Sequence, residues 1–396
     1  MNFELSTRMG AVDSSAVAEI LKSSVSPDVI SLAGGNPDPA LFPNDELADI
    51  AGEILRKMPI QSLQYGKTEG YPQLIEKIAE RLSRVEGIDC SNDSIIITAG
   101  ATQAIELTTK VLINEGDTVI AENPSFLGAF NAFRSYGANI VGIDMHDDGM
   151  DLDALEKAIQ ENENVKLLYV IPSFQNPMGT TMSLEKRKAL YEIIRKYKLI
   201  TIEDNPYGDL TFDGERVPTL KSMDTEDLIV YCGSFSKIVA PGLRVGYALC
   251  NKELAENISA AKQLADVHSP LLPQIMVSNY MEKYDLDELI DKMRHTYAHK
   301  CRTMLDAINE YFPEGVTCTK PNGGLFIWCD LGHGIDTYAL AKKASEHKVS
   351  FVPGNVFMVD SAKKTSTLRL NYSTMSDENI VEGIKRLGEL IKSEIG

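Results

Sequence analysis

Lys237 lies in the run Ser234-Phe235-Ser236-Lys237-Ile238-Val239-Ala240-Pro241-Gly242-Leu243-Arg244-Val245-Gly246-Tyr247, flanked by two hydroxyl residues and followed by an arginine. A lysine amine is a poor nucleophile while protonated, and its ordinary pKa is about 10.4. Burial and a neighbouring cation lower that value, and the neutral amine then condenses with an aldehyde to a Schiff base. Ser234, Ser236 and Arg244 add hydroxyl donors and a fixed positive fork suited to a phosphate. An amine anchor beside a phosphate cradle is what a phosphorylated aldehyde requires, so the segment reads as a site for pyridoxal 5′-phosphate. A solvated surface lysine is the lesser alternative for the segment taken alone.

Such a cofactor also needs a carboxylate at its ring nitrogen, donors to its phenolic oxygen, a cup for its phosphate and a stacking face. The ring is an electron sink, and a proton on its nitrogen strengthens that sink. Asp204, in Ile202-Glu203-Asp204-Asn205-Pro206-Tyr207, ends a strand-like run and suits a charge-assisted bond to that proton; a turn aspartate before proline is the alternative. Asn176 and Tyr207 can each donate to the phenolic oxygen, although Asn176 before Pro177 also fits a plain turn. Gly100-Ala101-Thr102 stands where a strand gives way to a helix, whose first free amides bind anions without any side chain. Phe126 follows another strand and could stack on the ring or belong to the core. Arg369 lies within the apolar run Thr367-Leu368-Arg369-Leu370. A buried guanidinium calls for an anion, either a substrate carboxylate or an internal Asp or Glu.

The elements that must position these residues are legible as short apolar, β-branched runs at 94–98, 118–121, 167–171, 199–202 and 228–231. Helical patterns at 101–113, 184–197 and 252–264 fill intervals between them. Continuous apolar strands separated by helices predict an α/β fold with a mostly parallel sheet covered on both faces. Ligands collect beyond the carboxyl ends of such strands, and Gly100, Asn176, Asp204 and Lys237 each follow a strand. The chain divides into an N-terminal arm (1–45), a large domain (46–284) and a smaller α+β domain (285–396). The smaller domain begins on a long helical pattern at 285–311, continues through strands at 324–328 and 367–370, and ends on a helix at 377–393. The arm holds a short helix at 14–23 and a Gly/Pro-rich link, Ala33-Gly34-Gly35-Asn36-Pro37-Asp38-Pro39, and packs on the smaller domain or on a partner subunit.

With 396 residues the chain exceeds the roughly 150 of one typical domain. A net charge of −18 argues against a nucleic-acid ligand, since phosphate backbones require clustered Lys and Arg. No apolar run approaches the ~20 residues that span a bilayer, and the N-terminus lacks the basic and apolar regions of a signal peptide. The six cysteines form no CxxC pair; they predict neither a disulfide framework nor a zinc site and fit a reducing cytoplasm. His295 and His299, one helical turn apart, read as surface histidines rather than metal ligands. The acidic turn from Asp144 to Gly149 lacks the glutamate of a calcium loop, having Leu155 in its place.

Taken in order, Ser31-Leu32-Ala33-Gly34-Gly35-Asn36-Pro37, Leu63-Gln64-Tyr65-Gly66, Ile171-Pro172-Ser173-Phe174-Gln175-Asn176-Pro177 and the lysine segment resemble the fold-type-I pyridoxal-phosphate aminotransferases of class I/II. The likeness is strongest to the 2-aminoadipate, kynurenine and aromatic branch, whose catalytic domain also occurs in MocR-type regulators. The resemblance implies Lys237 as the Schiff-base and proton-carrying lysine and Asp204 as the ring-nitrogen partner. It makes Asn176 and Tyr207 the phenolic donors, and Ser234, Ser236, Arg244, Gly100, Ala101 and Thr102 the phosphate ligands. Phe126 takes the stacking position, Gly35, Asn176 and Arg369 contact the substrate carboxylate, and Tyr65 reaches a neighbouring subunit's phosphate, implying a homodimer with shared sites. Two departures stand out. Ala101 replaces a frequent serine, and before the first helix only Arg8 resembles the arginine that can read long acidic substrates. The expected reaction is ping-pong transfer of an amino group from an aromatic, aliphatic or 2-aminoadipate-like L-amino acid to a 2-oxo acid such as 2-oxoglutarate. A carbon–sulfur β-lyase is the alternative. A MocR-like regulator should carry a winged helix, for which fewer than 35 residues precede the first shared segment.

Overall fold

The structure, a computed structural model, describes residues 6–10 and 28–395. The helix expected at 14–23 lies outside the described residues. Strand β1 (Ile30–Ser31) comes first, and the central sheet follows: β2 (Asp93–Thr98), β3 (Thr118–Asn123), β4 (Asn139–His146), β5 (Gly149–Met150), β6 (Val165–Val170), β7 (Ile200–Asp204), β8 (Ile229–Ser234) and β9 (Gly246–Asn251). Their order across the sheet is β2-β9-β8-β7-β6-β3-β4-β5. The strands from β8 to β4 pair in parallel, whereas β9 runs antiparallel to both β2 and β8. That reversal matters for the site. Six strands end at one edge of the sheet, and β9 starts there.

Both faces of the sheet are buried, which explains the unbroken apolar runs. Along β6, Leu167 and Tyr169 join a core with Ala104, Phe130 and Ile258, while Leu168 and Val170 join one with Leu190, Ile194 and Ile229. Several covering helices begin on a side-chain cap that satisfies one of their free amides. Ser183 accepts from Lys186 N before Leu184–Tyr197, and Asn251 from Leu254 N before Lys252–Asp266. Helix Ala101–Leu112 has no such cap, because Gly100 offers no side chain.

A second, antiparallel sheet follows the long helix Leu286–Tyr311, which is capped by Asp285. Its strands are β10 (Thr317–Cys318), β11 (Phe326–Asp330), β13 (Val352–Pro353) and β14 (Thr367–Asn371), in the order β10-β11-β14-β13. The strand expected at 324–328 starts two residues later because Gly324 has φ +71° and bends the chain. Strand β12 (Val349–Ser350) pairs in parallel with β1, which seats the segment after residue 28 on this second unit. The closing helix, Asp377–Ile395, packs along Leu286–Tyr311.

The cysteine reading needs one correction. Pairing of β10 with β11 puts Cys318 directly opposite Cys329, and the two form a disulfide. Spacing along the chain carries no cross-strand register, so this pair could not be seen beforehand. The remaining four cysteines are free. His295 contacts the carbonyl of Asp291 and His299 the carboxylate of Asp377. No described helix is long and apolar enough to cross a membrane.

Candidate active site

The strand-end edge of the large sheet, the segment around Gly35 and the second sheet enclose a cavity of about 480 Å³. The end of β8 and the loop after it bring in Ser234, Ser236 and Lys237; β7 and its loop bring Asp204 and Tyr207; the loop after β6 brings Asn176. Phe126 follows β3, and Ala101 and Thr102 open the helix after β2. Arg244 arrives from the opposite chain direction, two residues before β9. Arg369 enters from β14 and Gly35 from the segment after β1. Gly100 stands immediately behind the lining. Tyr65 is the exception among the expected residues: it is 80% exposed and lies outside the cavity, its ring edge against His268.

Lys237 Nζ donates to the carbonyl of Gly35 at 2.8 Å. Burial brings its pKa down to about 8, helped by the charges of Arg369 and Arg244 and opposed by Asp204. Asp204 is pushed up to about 7 by burial, against the pull of the Tyr169 hydroxyl and of Lys237. Tyr169 donates to its Oδ2 at 2.7 Å, whereas Oδ1 is buried with no hydrogen-bond partner among the described residues. A buried carboxylate oxygen without a donor is costly, and a ring N–H would satisfy it.

The anion end is built differently. Gly100 (φ +87°) turns the chain into a helix whose first amides lack a side-chain cap. A Cβ at Gly100 would fall 2.3 Å from Arg244 Nη2, so the loop and the guanidinium fit only with glycine there. Arg244 donates to the Ala99 carbonyl (2.6 Å) and, more weakly, to Ser236 Oγ (3.4 Å). Cation, hydroxyls and free amides converge on one spot, a donor set that fits a phosphate.

Arg369 is buried, yet its hydrogen bonds go to neutral acceptors, Asn176 Oδ1 and the Ala33 carbonyl, each at 2.8 Å. Its guanidinium lies 4.2 Å from the Phe326 ring centroid and 4.8 Å from that of Phe357, and its Nε has no hydrogen-bond partner among the described residues. Of the two anions its burial called for, an internal carboxylate is absent among the described contacts, and the fork is left for an incoming one. Burial brings its pKa down to about 10, so it stays charged at neutral pH.

Sequence reasoning overlooked Tyr169, although a tyrosine in a buried apolar strand signals a hydroxyl in need of a partner. It also missed Glu122, which accepts from Ile171 N and Gln175 Nε2, both at 3.1 Å, and whose pKa burial raises to about 7. The apolar wall of Leu127, Val352, Val356 and Phe357 carried no signal beyond ordinary core composition.

The family of class I and II aminotransferases matches residues 27–387 of the chain. Aromatic-amino-acid aminotransferase 1 of Thermococcus litoralis is 41% identical over 96% of this chain and 92% of its own length. The 2-aminoadipate transaminase of Thermus thermophilus is 38% identical over 97% and 95%, respectively. The crystal structure of Pyrococcus horikoshii kynurenine aminotransferase with PMP, the amine form of the cofactor, superposes with a TM-score of 0.95 at 38% identity, covering 99% of this chain and 98% of that one. The unpartnered oxygen of Asp204, the low-pKa amine and the phosphate-shaped donor set fit the same cofactor. The chain therefore belongs to the class I and II aminotransferases, as a transaminase of fold type I that uses pyridoxal 5′-phosphate.

Proposed function

We propose that the protein transfers the amino group of an aromatic, aliphatic or 2-aminoadipate-like L-amino acid to a 2-oxo acid such as 2-oxoglutarate, in ping-pong fashion. One observation carries this reading: a low-pKa lysine amine and a carboxylate-reading arginine share one cavity with an apolar side made by Leu127, Val352, Val356 and Phe357. Bound cofactor supplies an aldehyde and an electron-withdrawing ring that together make the substrate's α-proton removable. Lys237 Nζ, with its pKa near 8, takes that proton when neutral and gives it back when charged. Arg369 orients the substrate through its carboxylate with Asn176 and Gly35 beside it, and Leu127, Val352, Val356 and Phe357 meet the side chain. Asp204 Oδ1 holds the ring-nitrogen proton, Asn176 and Tyr207 serve the phenolic oxygen, and Phe126 flanks the ring. The phosphate falls to Gly100, Ala101, Thr102, Ser234, Ser236 and Arg244.

A homodimer with shared sites is part of the same reading, with Tyr65 reaching the neighbouring subunit's phosphate. It is supported by the exposure of Ile60, Leu63, Tyr65 and Leu264, large apolar side chains at 70–84% exposure. The two sheets support a domain division at 46–284 and 285–396, and a cytoplasmic setting, part of the same proposal, draws on the four free cysteines and not on the Cys318–Cys329 pair. The test is a half-reaction panel in which each amino acid is added to purified protein and bleaching of the aldehyde-form absorbance is followed. Aromatic and aliphatic L-amino acids should bleach it, and Lys237→Ala should abolish turnover. Near-normal turnover in that variant refutes the assignment.

A further inference from the structure

Lys262, on helix Lys252–Asp266, is wholly buried and does not line the cavity. Its Nζ donates to Gln103 Oε1 (3.0 Å), Asp266 Oδ2 (2.8 Å) and Ser269 Oγ (2.8 Å). Gln103 lies in the first turn of helix Ala101–Leu112. Its Oε1 also accepts from Ala99 N at 2.8 Å, and its Nε2 donates to Asp266 Oδ2 at 2.8 Å. The carbonyl of Ala99 is held by Arg244 Nη2. Both backbone polar groups of Ala99 are thus fixed, one by Arg244 and the other, through Gln103, by the Lys262 cluster. Ala99 leads directly into Gly100, so this clamp sets where the free amides of the helix point.

The charges make a second argument. Asp266 places a carboxylate one side chain away from a cup that must accept a dianion. Left uncompensated, it would repel that dianion, an effect that its partial exposure to water and salt reduces but does not remove. Lys262 neutralises it at 2.8 Å.

We propose that Lys262 is a positioning residue for the cofactor's phosphate, pinning Gln103 and cancelling the field of Asp266 without touching the ligand; this rests on the reading of Gly100 to Thr102 as the phosphate cup. The consequence is selective. A defect here should weaken a phosphorylated ligand and spare the same ligand without its phosphate.

The experiment titrates full-length protein, stripped of cofactor, with pyridoxal 5′-phosphate and separately with pyridoxal, following absorbance. Lys262→Met should raise the Kd for the phosphate ester about tenfold, the scale of one lost charge-assisted hydrogen bond, and change that for pyridoxal by less than about twofold. Adding Asp266→Asn to Lys262→Met should recover most of the loss, because the uncompensated carboxylate is gone. Asp266→Asn alone should tighten the phosphate ester and leave pyridoxal unchanged, a test that survives even if Lys262→Met does not fold. Equal losses for both ligands would mark Lys262 as merely structural and overturn the proposal, as would a phosphate-ester Kd unmoved in a folded variant. Wild-type protein that binds both ligands equally would instead overturn the phosphate cup itself.

Discussion

Removing the hydroxyl of Tyr169 tests one hydrogen bond in the tuning of Asp204. The ring is fully buried and packs edge-on against Phe133 at 5.6 Å, so Tyr169→Phe keeps its shape and apolar contacts. Asp204 Oδ2 then loses its donor at 2.7 Å. A hydrogen bond to a charged acceptor is worth about 1.5–3 kcal/mol, and one pKa unit corresponds to about 1.4 kcal/mol. The carboxyl, already at about 7 through burial, should therefore rise by about one to two units. In the cofactor-free protein at pH near 7 the ionised fraction would drop from about half to about a tenth or less; a bound ring N–H on Oδ1 favours the ionised form in both proteins, so with cofactor the same displacement is read at lower pH. The assay is the rate of the amino-acid half-reaction as a function of pH. The acid limb should move up by about one to two units, with the plateau at higher pH largely kept. An unmoved limb in a variant of normal Tm and cofactor content would refute the role given to Tyr169, and so would a uniform loss at every pH.

Two further outcomes follow from the same geometry. Arg369→Lys exchanges a ring-stacked fork for a point charge, so KM for the amino acid should rise about 10- to 100-fold while kcat falls less, measured by steady-state kinetics across a substrate series. In cofactor-free protein, Asp204 binds its proton more tightly when folded (about 7) than when unfolded (about 4). The stability it confers is complete below pH of about 4 and is lost as pH rises through about 7. Glu122 and Glu203 act in the same direction. Thermal melts should thus show a declining Tm over this window, and Asp204→Asn should flatten the decline; an identical slope in the two proteins would argue against a buried, proton-holding Asp204.

What could be read from the chain and what could not divide along physical lines. Strands buried on both faces are continuous apolar runs, so β2, β3, β6, β7 and β8 were visible, and the residues just past them had to share one edge. Arg244 was legible by its nearness to Lys237, but the reason it reaches the phosphate end is the reversed direction of β9, which no local pattern encodes. Burial of Arg369 could be foreseen from its apolar flanks. Its neutral partners could not, because Asn176 and Ala33 are brought to it from distant parts of the chain. Tyr169 and Glu122 act through neighbours rather than toward the cavity, and Cys318 and Cys329 meet only through strand register. The short strands β1, β5, β10, β12 and β13, each of two residues, fall below what periodicity can reveal.

The bond from Arg369 to Asn176 joins a strand of the smaller sheet to a loop of the larger one. That loop is also nested there by shape: a side chain at Gly179 would collide with the Phe326 carbonyl at 2.4 Å, and one at Gly323 with the Phe174 ring at 2.3 Å. A chimera that borrows its carboxyl-terminal third from a relative would inherit the arginine yet mismatch the surface that holds it in place. Recombination between such enzymes should succeed only when the stretches around 174–179 and 323–371 travel together as one inherited block.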